Sequence, residues 1–284
     1  MLNNLIINDD HVKSKLKQLY QDDKYYYFYK HLGIDEKELV FNLFKNCQFK
    51  YSYPKNFNDP YDCHFETEIN FENFDREIFN QAFGQKINSK MWKLLENQLK
   101  LTLKKQMLEG VMDEFRESYS VTCFNNAPLN ILMWSHYAKN HEGFMVEFKF
   151  SKSHINSLPA PVIYTKNYPI ISLPWNVGEF LSNTGNQYET LKKIFLHKSI
   201  DWAYEDEYRL LAEKKEFIDF PPQMISSVIL GTKITKESES KMKDVLSEFN
   251  RKNHTNIKIY KSNLIHKKYE LEIPTHPRLS KQGV

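Results

Sequence analysis

Cysteine is scarce in this chain: Cys47, Cys63 and Cys123 are an odd number at wide spacing. That excludes a disulfide framework and a metal knuckle, and it fits a reducing cytoplasm. Long apolar runs are missing as well. No stretch approaches the roughly 20 apolar residues of a membrane span. Met1 to Tyr20 carries Asp9, Asp10 and several lysines where a signal peptide would have its apolar core. The expectation is a soluble, cytoplasmic protein that makes no membrane contact. Charge of one sign is not in large excess either: the net charge is +3, which excludes a strongly basic nucleic-acid scaffold. Glycine-rich phosphate loops of the GxGxxG or Walker type are absent, as is a nucleophile elbow, which excludes Rossmann, P-loop and hydrolase-elbow readings. Arginine is confined to Arg76, Arg116, Arg209, Arg251 and Arg278. Because guanidinium is the better bidentate partner for carboxylate or phosphate, each is worth following into the fold.

What is present is a core. With 284 residues, 41% of them hydrophobic and 14% aromatic, the chain can bury a substantial interior and is too apolar for extended disorder. His11–Tyr20 has the spacing of a short amphipathic helix. Tyr25–His31 is β-favouring and dense in aromatics. A helix starting at Asp35, with Glu38 at its capping-box position, extends to Lys45. Cys47–Tyr53 is strand-like and closed by Pro54. Phe57-Asn58-Asp59-Pro60 is a turn, since Pro60 keeps Asp59 out of the helical region and an Asx side chain bonds backbone two residues on. From about 71 to 119 the periodicity is helical and strand character disappears. Strands are expected at Ser120–Phe124, Phe144–Phe148, Val162–Thr165, Leu210–Ala212, Ile225–Leu230, Ile257–Tyr260 and Tyr269–Ile273. Helices are expected at Ile131–Asn140, Tyr188–His197 and Lys236–Asn250, with a long loop between Thr165 and Gln187. Irregular mixing of the two predicts an α+β fold with a mixed or antiparallel sheet core and an inserted helical layer. The predicted organisation is a helical arm over 1–24, one α+β domain over 25–273 with its helical insertion at about 71–119, and a frayed tail over 274–284.

Met133-Trp134-Ser135-His136-Tyr137-Ala138, with His141, Gly143 and Glu147 following, places histidines, large aromatics and a carboxylate in one window. A helix that ends near a glycine and feeds a strand would turn them toward one pocket. His136 and His141 are five apart and do not share a helix face as a zinc pair would, so no metal is expected there. Glu205-x-Glu207 next to Arg209 is the second candidate. In a strand the three would share a face, and two carboxylates that close push one pKa up unless Arg209 or Lys198 offsets them. Such a carboxylate acts as a base or stabilises positive charge. Tyr29-Lys30-His31 and Tyr51-Ser52-Tyr53 set polar groups among aromatics, suited to a planar ring with a hydrogen-bonding edge. Each of these also has a structural reading: a core histidine, a surface ion-pair cluster, and core aromatic strands.

The ordered set Tyr29-Lys30, Tyr51-Ser52-x-Pro54, Phe57-Asn58-Asp59-Pro60-Tyr61-Asp62, Met133–Ala138, His141-x-Gly143 and Tyr204-Glu205-x-Glu207-Tyr208-Arg209 resembles a bacterial domain family of unknown function. Its signature is an FNDP turn, an MWxHYA helix and a YExEYR strand. Roles in defence or stress are what that resemblance implies. A second resemblance, to ADP-ribosyltransferases, supplies chemistry. That family places a basic residue on a first strand, a Ser or Tyr on a second and a Glu on a late strand, which here fall on Lys30 or His31, Ser52, and Glu207 or Glu205. It implies NAD as the small molecule bound, held by the basic residue and the serine, with the glutamate on the ribose; Asn58, Asp59, Tyr137 and Arg209 complete the expected binding set and His136 the catalytic one. Two other classes stand beside it. One is a metal-dependent nuclease or phosphodiesterase using Asp59, Asp62, Glu147 and Glu207. The other is a ligand-sensing or interaction module with no reaction, its protein or nucleic-acid target left open.

Overall fold

The structure, a computed structural model, describes residues 9–34 and 39–280. Asp35 and Glu38, the expected cap of the second helix, lie outside the described residues. Helix α1 (Asp10–Lys17) is capped by the Asp9 carboxylate and buries Val12 and Leu16. Strand β1 (Tyr25–Leu32) follows, then α2 (Leu39–Asn46) and β2 (Gln48–Lys50). The next elements are β3 (Glu66–Asn70), α3 (Arg76–Phe83) and α4 (Ser89–Ser118), the last opened by an Asn88 cap on the Met91 amide. Then come β4 (Tyr119–Asn125), α5 (Ile131–Tyr137), β5 (Phe144–Ser151), β6 (Ala160–Pro161), β7 (Ile163–Thr165) and β8 (Ile170–Pro174). Helices α6 (Val177–Ser182) and α7 (Thr184–Phe195) lead to β9 (His197–Ser199) and β10 (Glu207–Glu213). The chain closes with β11 (Phe217–Asp219), β12 (Ile225–Leu230), α8 (Lys236–Asn253), β13 (Lys258–Lys261), β14 (Asn263–Leu264) and β15 (Leu271–Glu272).

Seven strands form one mixed sheet in the order β13-β12-β5-β1-β4-β10-β6. Pairings are antiparallel except β12 with β13. The expected α+β class is what the chain adopts. The aromatic surplus has its explanation on one face of this sheet, where Phe28, Phe124, Phe148, Phe150 and Tyr208 pack edge to face among themselves and, through Phe124 and Phe148, with Phe49, which stacks on Phe220. Met242, Leu246 and Phe249 of α8 fall at helical spacing and cover that face. On the other face α5 brings Trp134 against Tyr29 and Met145, while Phe115 of α4 and Leu191, Ile194 and Phe195 of α7 cover β4 and β10. The helices expected between 71 and 119 are present, with Trp92 of α4 packed on Phe74 and Phe79.

Three expectations need correction. The segment between Thr165 and Gln187 is not a loop: it holds β8, which pairs in parallel with β3 about a hundred residues earlier, and then α6 and the start of α7. The strand expected over Cys47–Tyr53 is reduced to Gln48–Lys50: Cys47 takes a left-handed φ of 54°, and the partner strand β11 pairs with β2 only from Gln48 to Lys50. The tail after Pro274 is not frayed as far as Ser280: His276 and Leu279 are buried, and Arg278 binds Glu147 under the sheet.

Candidate functional site

β1 and β4 are neighbours in the sheet, yet their register holds at one position, Tyr29 opposite Asn125. Beyond it the strands part, and a cavity of about 350 Å³ opens in the fork. An exposed strand edge must find other partners for its amides and carbonyls. Here the Ser52 backbone exchanges both hydrogen bonds with Val121, at 2.8 and 2.9 Å. The Lys30 ammonium donates to the Cys123 carbonyl at 2.7 Å and to the Thr122 hydroxyl at 3.1 Å. The Asn125 amide donates to the Tyr29 carbonyl at 3.0 Å. The side chains that close the fork are therefore the ones that line the cavity.

Lys30, His31 and Ser52 form one wall, with Phe57, Asn58 and Asp62 of the proline turn beside them. Met133 and Tyr137, one helical turn apart on α5, form another, and Lys198, Glu205 and Glu207 complete the enclosure. Glu205 ends a short 3-10 turn over Ile200–Glu205, and Asp206 then turns the chain with a left-handed φ of 42° before Glu207 opens β10. The two carboxylates meet through this turn and not by strand alternation as the spacing suggested. Lys198 of β9 joins them, at 2.5 Å from Glu205 Oε2, 3.0 Å from Glu207 Oε2 and 3.7 Å from Asp62 Oδ2.

Arg209 is held by the same group. Its Nε and one terminal nitrogen donate to Glu207 at 2.7 and 3.0 Å. Its two terminal nitrogens grip Asp62 as a fork at 2.9 and 2.7 Å. The last N–H goes to the Phe195 carbonyl at 2.8 Å. With all five donors used and the side chain buried, Arg209 does not face the cavity; it is the counter-ion of the site and not a ligand-binding group.

Three acids against two cations leave the cluster with one negative charge in excess. The environments of the two glutamates then diverge. Burial disfavours ionisation of both, but Arg209 and Lys198 hold the Glu207 carboxyl well below its usual range. Burial and the adjacent Glu207 charge keep Glu205 above its own, against the pull of Lys198. Tyr137 donates its phenol to Glu205 Oε1. Glu207 takes three cationic donors, whereas Glu205 takes one bond on each oxygen and keeps a lone pair on each. Burial pushes the Cys123 thiol up, so the cysteine at the cavity wall is no thiolate nucleophile. Burial lowers Lys30 and holds His31 down at about 3, so its imidazole is neutral.

Other expected residues lie elsewhere. His136 projects from the exposed face of α5 and accepts or donates at Nδ1 to the Tyr204 hydroxyl at 2.9 Å, outside the cavity. Leu132, four residues earlier, is exposed on the same face, so helix rotation and not sequence proximity decides which residues of this motif point inward. His141 stacks on Trp134 and meets Ser135 at 3.2 Å. Asp59 accepts from the Tyr61 amide at 2.9 Å, the turn expected of an Asx-Pro pair, and lines a neighbouring groove instead of the cavity. Glu147 is held by Arg278, Ser227 and Tyr29, away from Asp62 and Glu207. The four acids of the metal-dependent reading therefore do not converge, and among the described residues no group of three or more His, Cys, Asp or Glu side chains has the geometry to hold a metal ion. No helix among the described residues is long and apolar enough to cross a membrane.

The chain from α5 to β10 thus supplies Met133, Tyr137, Lys198, Glu205 and Glu207 to the enclosure, and the larger share of the lining comes from chain before α5. Residues 133–210 match a family described as "Protein of unknown function (DUF2971)". The resemblance expected from the MWSHYA helix and the YEDEYR segment is shown over that stretch. The DUF2971 match ends at Leu210, so it spans Lys198 and both glutamates, while Lys30, His31, Ser52 and the proline turn come from chain before it. Neither a curated protein nor a solved structure matches the chain. Asn125 is a site residue that the sequence does not single out; Asp62 enters only among the acids of the metal-dependent reading, and Lys198 only as a counter-charge to the two glutamates, the place it takes here.

Proposed function

We propose that this chain is an ADP-ribosyltransferase-like enzyme that binds NAD in the fork between β1 and β4. The observation that carries the proposal is convergence: Lys30 and His31, Ser52, and Glu205 with Glu207 come from far-apart segments and line one cavity. The groups present suit such a ligand. The Lys30 ammonium, the His31 imidazole N–H and the Ser52 hydroxyl offer donors, Glu205 offers acceptor oxygens, and Phe57 and Tyr137 offer aromatic surface between them. About 350 Å³ is at the small end of small-molecule sites and suits the reacting end of a dinucleotide better than the whole of it.

NAD would supply a ribosyl carbon that becomes positively charged as nicotinamide departs, a charge that a fixed carboxylate stabilises. Glu205 is the carboxylate for that role, because Glu207 already accepts three bonds from Arg209 and Lys198 and serves to hold Lys198 in place. Tyr137 and Lys198 orient Glu205 from two sides. The second substrate, whether water, a protein or a nucleic acid, is left to experiment. The test is incubation with NAD labelled in the ribosyl portion, following nicotinamide release and label transfer. Wild-type protein should consume NAD, and Glu205→Gln should lower the rate by about 100-fold or more. Absence of both cleavage and transfer, or a Glu205→Gln variant as active as wild type, sinks the proposal.

A further inference from the structure

The fork contains a donor with nothing to donate to. His31 is 6% exposed, lines the cavity, and its Nε2 has no hydrogen-bond partner among the described residues. Its Nδ1 lies 3.1 Å from Asn125 Nδ2. The orientation of that amide is set independently of the histidine. Asn125 Oδ1 accepts from the Ala127 amide at 3.1 Å, and Nδ2 donates to the Tyr29 carbonyl at 3.0 Å. Reversing the amide would set oxygen against the Tyr29 carbonyl and NH₂ against the Ala127 N–H. Nδ2 is therefore the donor toward His31, and Nδ1 is the acceptor. A neutral imidazole carries one proton, so that proton sits on Nε2. Burial disfavours the doubly protonated ring, so the tautomer stays single through the neutral range. Trp134 meets the ring edge-on at 5.0 Å and keeps it from rotating away.

We propose that Asn125 is a positioning residue that locks His31 in its Nε2–H form, making it the cavity's uncharged donor for a neutral acceptor oxygen of the ligand. The chemical class is a carbonyl or carboxamide carried on a planar ring. A buried N–H built to meet such an oxygen rejects analogues that lack it, since the donor is then left unpaired. With NAD in the fork, as read above, that oxygen is the carboxamide of nicotinamide; for the identity of the ligand the inference rests on that reading. The lock itself does not. Asn125 holds the last position at which β1 and β4 pair, so the residue that ends the pairing also sets the proton on the first ring beyond it.

Long-range ¹H–¹⁵N spectra of histidine-labelled protein read the tautomer directly. Wild-type His31 should carry its proton on Nε2. Added nicotinamide should shift that nitrogen, and 3-methylpyridine, which keeps the ring and lacks the carbonyl, should not. Asn125→Asp replaces the NH₂ donor with an acceptor, so the proton should move to Nδ1 and nicotinamide binding should weaken by about 10-fold or more. His31→Gln keeps an N–H donor and should bind nicotinamide within a few-fold of wild type, whereas His31→Leu should not bind it. An Nδ1–H tautomer in the wild type, or equal nicotinamide affinity in wild type and Asn125→Asp, overturns the proposal. If Asn125→Asp does not fold, the wild-type spectrum and the two His31 variants still decide. None of these measurements needs turnover, so a protein with the Nε2–H tautomer that leaves NAD intact discards the transferase reading and leaves the lock standing.

Discussion

Arg209 shows what one side chain can do in this interior. Its guanidinium spends every donor on Asp62, Glu207 and the Phe195 carbonyl, and Lys198 supplies the second positive charge to those two acids and to Glu205. A buried ion pair adds little net stability over a well-packed apolar group, but removing one partner leaves an uncompensated charge. Arg209→Met should therefore cost about 3–5 kcal/mol in urea unfolding at neutral pH. Arg209→Lys should remain clearly destabilised, because an ammonium cannot make the fork to Asp62 and still reach Glu207. A loss under about 1 kcal/mol for Arg209→Met would mean that the cluster is not the buried, mutually dependent unit its distances describe.

At the scale of elements, the turn between α5 and β5 explains why this stretch is built as it is. Lys139, Asn140 and His141 all have left-handed φ, at 48°, 53° and 70°. Such a run tightens the chain so that Gly143 pairs across to the start of β12's exit loop, where the Gly231 amide donates to the Gly143 carbonyl at 2.9 Å. A Cβ at Gly143 would lie 2.2 Å from the Leu32 carbonyl oxygen, and one at Gly231 would lie 2.1 Å from that of His141. Both obstacles are backbone and cannot swing aside. Gly231→Ala should cost about 2–3 kcal/mol, by analogy with overpacked cores, and lower the melting temperature by several degrees. Gly110 in α4 is the control, since a Cβ there meets nothing within 4 Å and alanine should gain about 0.5–1 kcal/mol from helix propensity. Equal melting temperatures for Gly231→Ala and wild type would refute the close approach. The FNDP turn and the start of the α5 helix were readable in the sequence because their causes are local, whereas the expected run to Asn140 ends at Tyr137, ahead of the left-handed turn. Asp59 bonds the Tyr61 amide, and the Asn130 side chain caps α5 at the Leu132 amide.

At the scale of the molecule, the C-terminal segment is tied beneath the sheet by a charge with no exposure to solvent. Glu147 of β5 accepts from Arg278 at 2.8 and 2.5 Å and from Ser227 at 3.0 Å. Burial opposes its ionisation, yet the Arg278 hydrogen bonds, with His276 Nε2 3.6 Å away, prevail and hold its carboxyl at about 2. A carboxyl depressed on folding stabilises the native state above its unfolded value, and that contribution fades as pH falls from about 4.5 toward 2. The shift corresponds to stabilisation on the order of 3 kcal/mol at neutral pH. Denaturant titrations of wild type should lose that much across the acid window. Arg278→Met should remove most of the dependence and already be weaker at pH 7. Parallel pH profiles for the two proteins would sever the link between the tail and Glu147.

Local chemistry determined much of this chain by itself. The α+β class, β1, β4, β5, β12, the long helical insertion and α8 follow from periodicity, caps and turn residues acting within a few positions of one another. The Glu205–Glu207 pair and the Lys30–His31–Ser52 set stand out in the sequence as polar groups among aromatics, and the structure lines one cavity with them. Tertiary structure decided the rest. β8 is only five residues long and ends at Pro174, and becomes a strand because β3 offers it a parallel partner a hundred residues away. The tail is ordered because Arg278 finds a buried acid on β5. His136 turns outward while Met133 and Tyr137 turn inward, since packing on Trp134 sets the rotation of α5. The fork itself has no sequence signature. Strand pairing that stops after one register position is a property of two distant segments, and only their meeting places Lys30, His31, Asn125 and Glu205 around one space.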